Sequence, residues 1–288
     1  MRRGEWAEFM PIIGIECVGI IVSCPGGEFT HGTPVAALMG GLGRTINGSY
    51  AEYTSAPVGN IVKLGDTEGD LLERMGLKWE EVAAIPETYA TAWTVLFRNL
   101  EIKAKQKLLI RGATSSFGRA AVNLAVQAGA EVTATTRKEE RFEELKSLGV
   151  TQVVVEGPGL PGRLSAGFKF DAVLELVGNS ALLESLTLVR RGGKLCLAGF
   201  LGGLAPIADF NPLLQMASGV HFSFFGSFVF GTPEFPVSDV PLKYIVEMVA
   251  EKKFTAEPSK VFKFEEIQEA HRLMENSTAN GKMVVRVE

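Results

Sequence analysis

Lys107-Leu108-Leu109-Ile110-Arg111-Gly112-Ala113-Thr114-Ser115-Ser116-Phe117-Gly118 decides how the chain folds. An apolar run with the look of a buried strand, Lys107–Arg111, ends in a turn of small residues. A helical pattern rich in alanine follows, from about Ser116 to Ala128. A turn of this kind between strand and helix lets backbone amides approach a pyrophosphate, and the helix N-terminus favours its negative charge. The strict G-x-G-x-x-G spacing is absent, and Ala113, Ser115 and Gly118 stand at its three glycine positions. Small residues still permit close approach, and Thr114, Ser115, Ser116, Phe117 and Gly118 are the candidate pyrophosphate contacts, with the serines as hydroxyl donors. The alternative is a tight turn with a serine helix cap and no ligand. A Walker-type loop is excluded, because Arg119 follows Gly118 where that motif requires lysine.

Outward from this turn the pattern repeats. Glu131–Thr135 reads as a second strand, then a helix runs to about Leu148. Gln152–Val155 and Phe170–Leu176 are further strands, then a helix to Val189 and the strand Lys194–Ala198. Strand and helix in alternation imply a parallel, doubly wound sheet with helices on both faces. The second strand ends in Thr135-Thr136-Arg137-Lys138, with no carboxylate before Glu139. An NAD site places Asp or Glu here to hold the ribose hydroxyls. Arg137 and Arg141, with Thr136 as hydrogen-bond donor, would instead attract a 2′-phosphate, which points to NADPH. The alternative is a set of solvated charges at a helix start, although cations there oppose the helix dipole.

The flanks differ. Before residue 90, short runs between turn signals (Gly19–Ser23, Val35–Met39, Tyr50–Ser55, Asn60–Leu64) predict a small β-rich unit. Helical stretches follow from Glu80 to Pro86 and from Thr88 to Asn99. The tail predicts a helix over Leu242–Lys253, a strand at Val261–Phe264, a helix over Glu265–Asn276 and a last strand at Met283–Val287. Of the 288 residues, 46% are apolar and 22% charged, which excludes global disorder, and the formal net charge of −4 argues against nucleic acid as partner. Cys17, Cys24 and Cys196 form no Cys-x-x-Cys pair and no disulfide framework, as expected of free thiols in a reducing compartment. The apolar stretch Pro11–Val22 is interrupted by Glu16 and too short to span a membrane. Arg2 and Arg3 precede it, but Glu5 and Glu8 follow and no cleavage site closes the segment, so a soluble cytoplasmic protein is expected.

Further residues carry a resemblance. Gly14-Ile15-Glu16-Cys17-Val18-Gly19, Gly48-Ser49-Tyr50-Ala51-Glu52-Tyr53, Ala90-Thr91-Ala92-Trp93, the Ala113–Gly118 turn, Arg190-Arg191-Gly192-Gly193 and Gly281-Lys282 stand in an order and spacing that resembles the medium-chain dehydrogenase/reductase superfamily, within it the zinc-independent quinone oxidoreductase branch. The resemblance implies a GroES-like domain from residues 1–90, completed by 240–288, and a Rossmann domain over 91–239, with the active site in the cleft between. It also implies further strands ahead of Met1, leaving the β domain N-terminally incomplete. It places Thr91 near the nicotinamide and Arg141 at the 2′-phosphate. Gly199 and Phe200 would cover the nicotinamide, and Phe228, Asn280 and Lys282 would approach the cofactor. A homodimer is expected on the same basis, through strands near the phenylalanine-rich stretch around Phe222 and Phe228.

Zinc-dependent relatives carry Gly-His-Glu where this chain has Gly14-Ile15-Glu16; Ile15 cannot ligate a metal, and three cysteines cannot build a four-cysteine lobe. No tyrosine is followed by lysine four residues on, no serine sits in a Gly-x-Ser-x-Gly elbow, and the three histidines form no metal motif. Hydride addition to a quinone or an α,β-unsaturated carbonyl asks least of such a protein, because charge spreads over a conjugated enolate. An NADPH-dependent quinone or enone reductase is therefore expected, with no catalytic acid assigned. Two alternatives stand beside it. One is a nucleotide-binding protein of weak or no activity, with a structural or regulatory role. The other is a methyltransferase, against which Arg137 argues.

Overall fold

A computed structural model describes residues 11–276 and 278–287. The charged lead containing Arg2, Arg3, Glu5 and Glu8 lies outside the described residues. In chain order, β1 (Glu16–Ile20), β2 (Pro34–Leu38) and β3 (Ile61–Lys63) come first. Two helices follow, α1 (Trp79–Ala83) and α2 (Pro86–Thr94), the second continued by a wide turn over Val95–Asn99. Next come β4 (Lys107–Arg111), α3 (Ser116–Gln127), β5 (Glu131–Thr136), α4 (Phe142–Ser147) and β6 (Gln152–Val155). β7 (Phe170–Glu175), α5 (Asn179–Leu188), β8 (Val189–Leu197), the short α6 (Pro212–Gln215) and β9 (His221–Phe224) complete that run. The tail holds α7 (Leu242–Ala250), β10 (Lys260–Lys263), α8 (Ile267–Glu275) and β11 (Met283–Arg286).

The chain divides into two units, Thr91–Gly226 and a discontinuous one made of Met1–Ala90 with Ser227–Glu288. The continuous unit is one parallel sheet in the order β6-β5-β4-β7-β8-β9. Counted from β4, this is the 3-2-1-4-5-6 order of doubly wound dinucleotide-binding folds. Its strand order reverses between β4 and β7, so the crevice outside their carboxyl ends is where such folds bind ligands. β4 is buried on both faces from Leu108 to Arg111, as a central parallel strand must be. Leu109, Phe170, Val173, Leu186 and Leu195 form one side of the core. α3 lies close against the sheet because its inner face is small, with Ala120, Ala121 and Ala125 all buried.

The discontinuous unit holds the antiparallel sheet β1-β2-β3 and the parallel pair β10-β11, the GroES-like half expected from sequence and completed by the C-terminal segment. Three details differ from the sequence expectation. Tyr50–Ser55 is not a strand. The amides of Gly48, Ser49 and Tyr50 bond the carbonyls of Ile12, Gly14 and Ile13, and the chain then leaves with Glu52–Ser55 exposed. The strand expected at Gly19–Ser23 sits earlier, at Glu16–Ile20, where it pairs with β2 from Glu16 opposite Leu38 to Ile20 opposite Pro34. The return to this unit occurs at Ser227, ahead of residue 240. The buried Asn60 amide explains it, donating to Leu38 O at 3.0 Å and Phe230 O at 2.9 Å, which ties the returning segment to β2.

Candidate functional site

The turn after β4 is built by its own side chains. Ser115 is the N-cap of α3: its Oγ accepts the Gly118 amide at 3.0 Å and donates to Gly112 O at 2.9 Å. This fixes the loop but commits the hydroxyl, so what the turn presents outward is backbone. The first amides of α3, including those of Ser116 and Phe117, have no partner within the helix. Gly118 is required for close approach, since a Cβ there would sit 2.5 Å from Gly112 O and 2.6 Å from Ala113 Cα. Ser115 therefore caps the helix, as the alternative reading expects, while Gly118 keeps the turn close to the end of β4.

Beneath the turn lies a charged network that sequence reasoning missed. Arg111, 1% exposed, directs its guanidinium at Glu156 in a bidentate pair, with Nε 3.1 Å from Oε2 and Nη2 on Oε1. Nη1 donates to Ser185 Oγ at 2.9 Å and to Ala181 O at 3.2 Å. Glu175 lies 3.7 Å away and Glu184 3.3 Å. Glu175 ends β7 and is fully buried; its Oε1 accepts the amides of Val177 at 2.7 Å and Gly178 at 3.0 Å, and Ser185 donates to its other oxygen. Thr135 donates to Glu156 at 2.5 Å and accepts the Gly112 amide at 3.1 Å. One guanidinium thus braces the ends of β4, β6 and β7, which carry the loops on both sides of the crevice. Burial pushes the Glu175 carboxyl above its usual range, opposed by Arg111. At Glu156 burial acts the same way, but hydrogen bonds from Arg111 and Thr135 outweigh it and hold the group below its usual range. The available signals were Arg111 closing an apolar run and Glu175 inside Ala172–Val177, each a charge where a buried strand wants none.

At the end of β5, Thr136 is buried and its Oγ1 accepts the Lys138 amide at 3.3 Å. Arg137 is exposed and makes no ion pair among the described residues. Arg141 is half-buried and pairs with Glu144 through Nε and through Nη2, the latter at 2.9 Å from Oε1. Arg119, from the first turns of α3, reaches the same Oε1 at 2.9 Å. The Arg141 hydrogen bond holds the Glu144 carboxyl below its usual range. Across the crevice, the loop after β8 packs on the loop after β7. Leu201 N bonds Leu176 O at 3.1 Å and Gly202 N bonds Val177 O at 2.7 Å. Gly199 has no room for a side chain, a Cβ there falling 2.5 Å from Leu176 O, and Phe200 is 57% exposed.

The continuous unit therefore brings Thr114–Gly118, Thr136, Arg137, Arg141, Gly199 and Phe200 to the carboxyl ends of its strands. Thr91 is its first residue and is buried on α2. Phe228, Asn280 and Lys282 belong to the other unit. Phe228 lies under the Arg44 guanidinium, 5.4 Å from the ring centroid, and Asn280 is exposed at φ +53°. Lys282 turns inward, donating to Glu16 and, at 3.2 Å, to Thr88 Oγ1. Glu16 also accepts the Glu87 amide at 2.8 Å. Tyr89 donates to Thr255 O at 2.8 Å and stacks on Phe254, while burial pushes the Tyr50 hydroxyl up beside Lys282 and Glu16. Among the described residues no group of three or more His, Cys, Asp or Glu is arranged to hold a metal ion, and no helix is long and apolar enough to cross a membrane.

A family model described as zinc-binding dehydrogenase matches residues 117–254. A putative quinone oxidoreductase of Bacillus subtilis, YhfP, is 30% identical over 200 residues, covering 68% of this chain and 58% of that protein. A zinc-type alcohol dehydrogenase-like protein of Schizosaccharomyces pombe is 24% identical over 271 residues, 91% of this chain and 73% of its own length. The crystal structure of Escherichia coli quinone oxidoreductase complexed with NADPH superposes with a TM-score of 0.78 at 19% identity, covering 95% of this chain and 82% of that one, a likeness of fold. Sequence motifs, strand order, the capped turn and these relatives all support the medium-chain dehydrogenase/reductase superfamily, in its quinone oxidoreductase-like branch, as the family this chain resembles.

Proposed function

We propose that this oxidoreductase uses NADPH in preference to NADH to reduce a quinone or an α,β-unsaturated carbonyl, without zinc, and that it does so as a cytoplasmic homodimer. The observation that carries the cofactor choice is the end of β5. The residues after Thr136 are Arg137 and Lys138, and Arg141 and Arg119 converge beside them where a ribose diol would want a carboxylate. The residues fit a dinucleotide. Amides of the first turn of α3 hold the pyrophosphate, Gly118 keeps that helix close to β4, and the Arg111 network fixes the loops on either side. When bound, NADPH supplies a hydride, and the chain binds, orients and excludes water. The quinone oxidoreductase name of the B. subtilis relative supports a conjugated acceptor. So does chemistry, since a delocalised enolate forms without a metal and Ile15 stands where zinc-dependent relatives carry histidine. The open edge strand β9, with Phe222 and Phe224 exposed, supports self-association.

The test is an acceptor screen with purified chain and NADPH deuterated at the transferred position. The expected result is NADPH oxidation dependent on a quinone or enone, with deuterium retained on carbon in the product when the acceptor is an enone; with a quinone, stoichiometric quinol formation is the readout, because a hydroxyl label exchanges with water. Binding of NADPH with no transfer to any acceptor of either class would sink the reductase and leave the nucleotide-binding protein of weak activity.

A further inference from the structure

The arginine pair at Glu144 has an architecture that a solvated helix start does not require. Arg119 comes from α3, the helix that caps the turn, and Arg141 from the turn before α4. Both reach one oxygen, Glu144 Oε1, at 2.9 Å each. All three side chains are partly sheltered, at 23%, 19% and 32% exposure. Two guanidinium forks aimed at one carboxylate oxygen form the geometry that carboxylates and phosphates share. Glu144 is the more exposed member and sits in the first turn of α4, from which a rotamer change takes its carboxylate to water. Glu140 acts on Arg141 only through its charge, and Lys138 is paired at 3.8 Å with Glu140.

We infer that Arg119 and Arg141 are a two-guanidinium phosphate clamp and that Glu144 is its resident anion, displaced outward when the 2′-phosphate of the nucleotide enters. The inference rests on the NADPH reading above and gives two residues a defined part in it: Arg119 as a specificity-determining cation, and Glu144 as an internal competitor that sets how strongly the phosphate is preferred. A phosphomonoester carries close to two negative charges at neutral pH and balances both arginines once Glu144 has left. With Glu144 in place it would meet a carboxylate instead.

The experiment is equilibrium titration of the full chain and its variants with NADPH and with NADH, following nucleotide fluorescence, with circular dichroism to show that each variant is folded. Arg119→Met is expected to weaken NADPH roughly tenfold, the size of one charge-assisted hydrogen bond, and to leave NADH within about twofold. Arg119→Lys, which keeps the charge and loses the fork, is expected to fall between. Glu144→Gln is expected to tighten NADPH about three- to tenfold with NADH unchanged. Glu144→Gln weakening NADPH would make Glu144 a scaffold for the arginines and overturn the competitor role. Arg119→Met acting equally on both nucleotides, or on neither, would overturn the clamp while a wild-type preference for NADPH kept the parent reading. Equal binding of the two nucleotides by the wild type would overturn both.

Discussion

Replacing Arg111 by methionine tests whether the buried network beneath the turn is held by that single guanidinium. The side chain is 1% exposed, and within reach of it lie Glu156 at 6%, Glu175 at 0% and Glu184 at 26% exposure. Methionine matches much of the volume, so the loss is electrostatic rather than a cavity. Removing one partner of a buried pair strands its counter-charge, which costs about 3–5 kcal/mol. For a unit of this size that lowers the melting temperature by roughly 6–20 °C. The pH dependence gives the argument its sign. In the wild type Glu156 is held below its usual range, so its stabilisation is present above the unfolded-state pKa and is lost as pH falls through the lower folded value. Without Arg111, burial is opposed only by hydrogen bonds, from Thr135 and the Gly157 amide at Glu156 and from Ser185 and the Val177 and Gly178 amides at Glu175, so the folded pKa values of both carboxyls are expected to rise above the unfolded ones. The folded variant then binds more protons than the unfolded chain, so its stability rises as pH falls. The deficit against wild type is therefore expected to be largest near neutrality and smaller at about pH 5. Adding Glu175→Gln to Arg111→Met is expected to return part of the loss, because one stranded charge is gone. Urea unfolding followed by circular dichroism at the two pH values measures all of this. A loss below about 1 kcal/mol that does not change with pH would refute the reasoning.

Gly118→Ala places a methyl against backbone that cannot yield, so about 1–3 kcal/mol of stability and the binding of both nucleotides are expected to fall together; unchanged binding would contradict the close-approach role. Ser115→Ala removes the α3 cap and is expected to cost about 1 kcal/mol in a melt, with NADPH and NADH weakened alike. Lys282→Met leaves Glu16 without its cation. The folded pKa of Lys282 is raised by Glu16 and neighbouring charges despite burial, so the wild-type contribution persists below the unfolded pKa and disappears as pH rises through the folded one. The stability gap between variant and wild type is accordingly expected to close in alkaline solution. Burial pushes the Cys17 and Cys196 thiols up to about 11, whereas Cys24 sits in a turn with its Sγ 3.2 Å from Glu28. A thiol reagent at mildly alkaline pH is expected to label Cys24 first in peptide mapping.

The parallel sheet was legible because its signals are local. Apolar runs such as Leu108–Ile110, the serine cap and the small residues of the turn dictate strand, turn and helix within one short window. β8 begins earlier than expected, at Val189 rather than Lys194, because its pairing with β7 slips between Phe170 and Ala172, an irregularity that side-chain type does not encode. The β-rich unit was harder. Tyr50–Ser55 has the residue types of a strand, but strand formation depends on a partner, and its pairing stops at Tyr50. At the site, single positions such as Thr136 and Arg141 could be placed by their distance from the strand end. Groups that act through partners far along the chain could not: Arg111 meets Glu156, Glu175 and Ser185 only after the sheet is assembled, and Lys282 meets Glu16 only when the two ends of the chain join one unit. Ser115 was expected to donate to a ligand, and its hydroxyl instead closes the turn.

The central claim is that the carboxyl ends of β4 and β5 form a site for a nicotinamide nucleotide bearing a 2′-phosphate. Side-by-side equilibrium titration of the unmodified chain with NADPH and NADH tests it most directly. Saturable binding is expected, with NADPH favoured by roughly tenfold or more, the worth of one charge-assisted contact, and a preference that shrinks as salt is raised. Equal affinity, or an NADH preference, would contradict it.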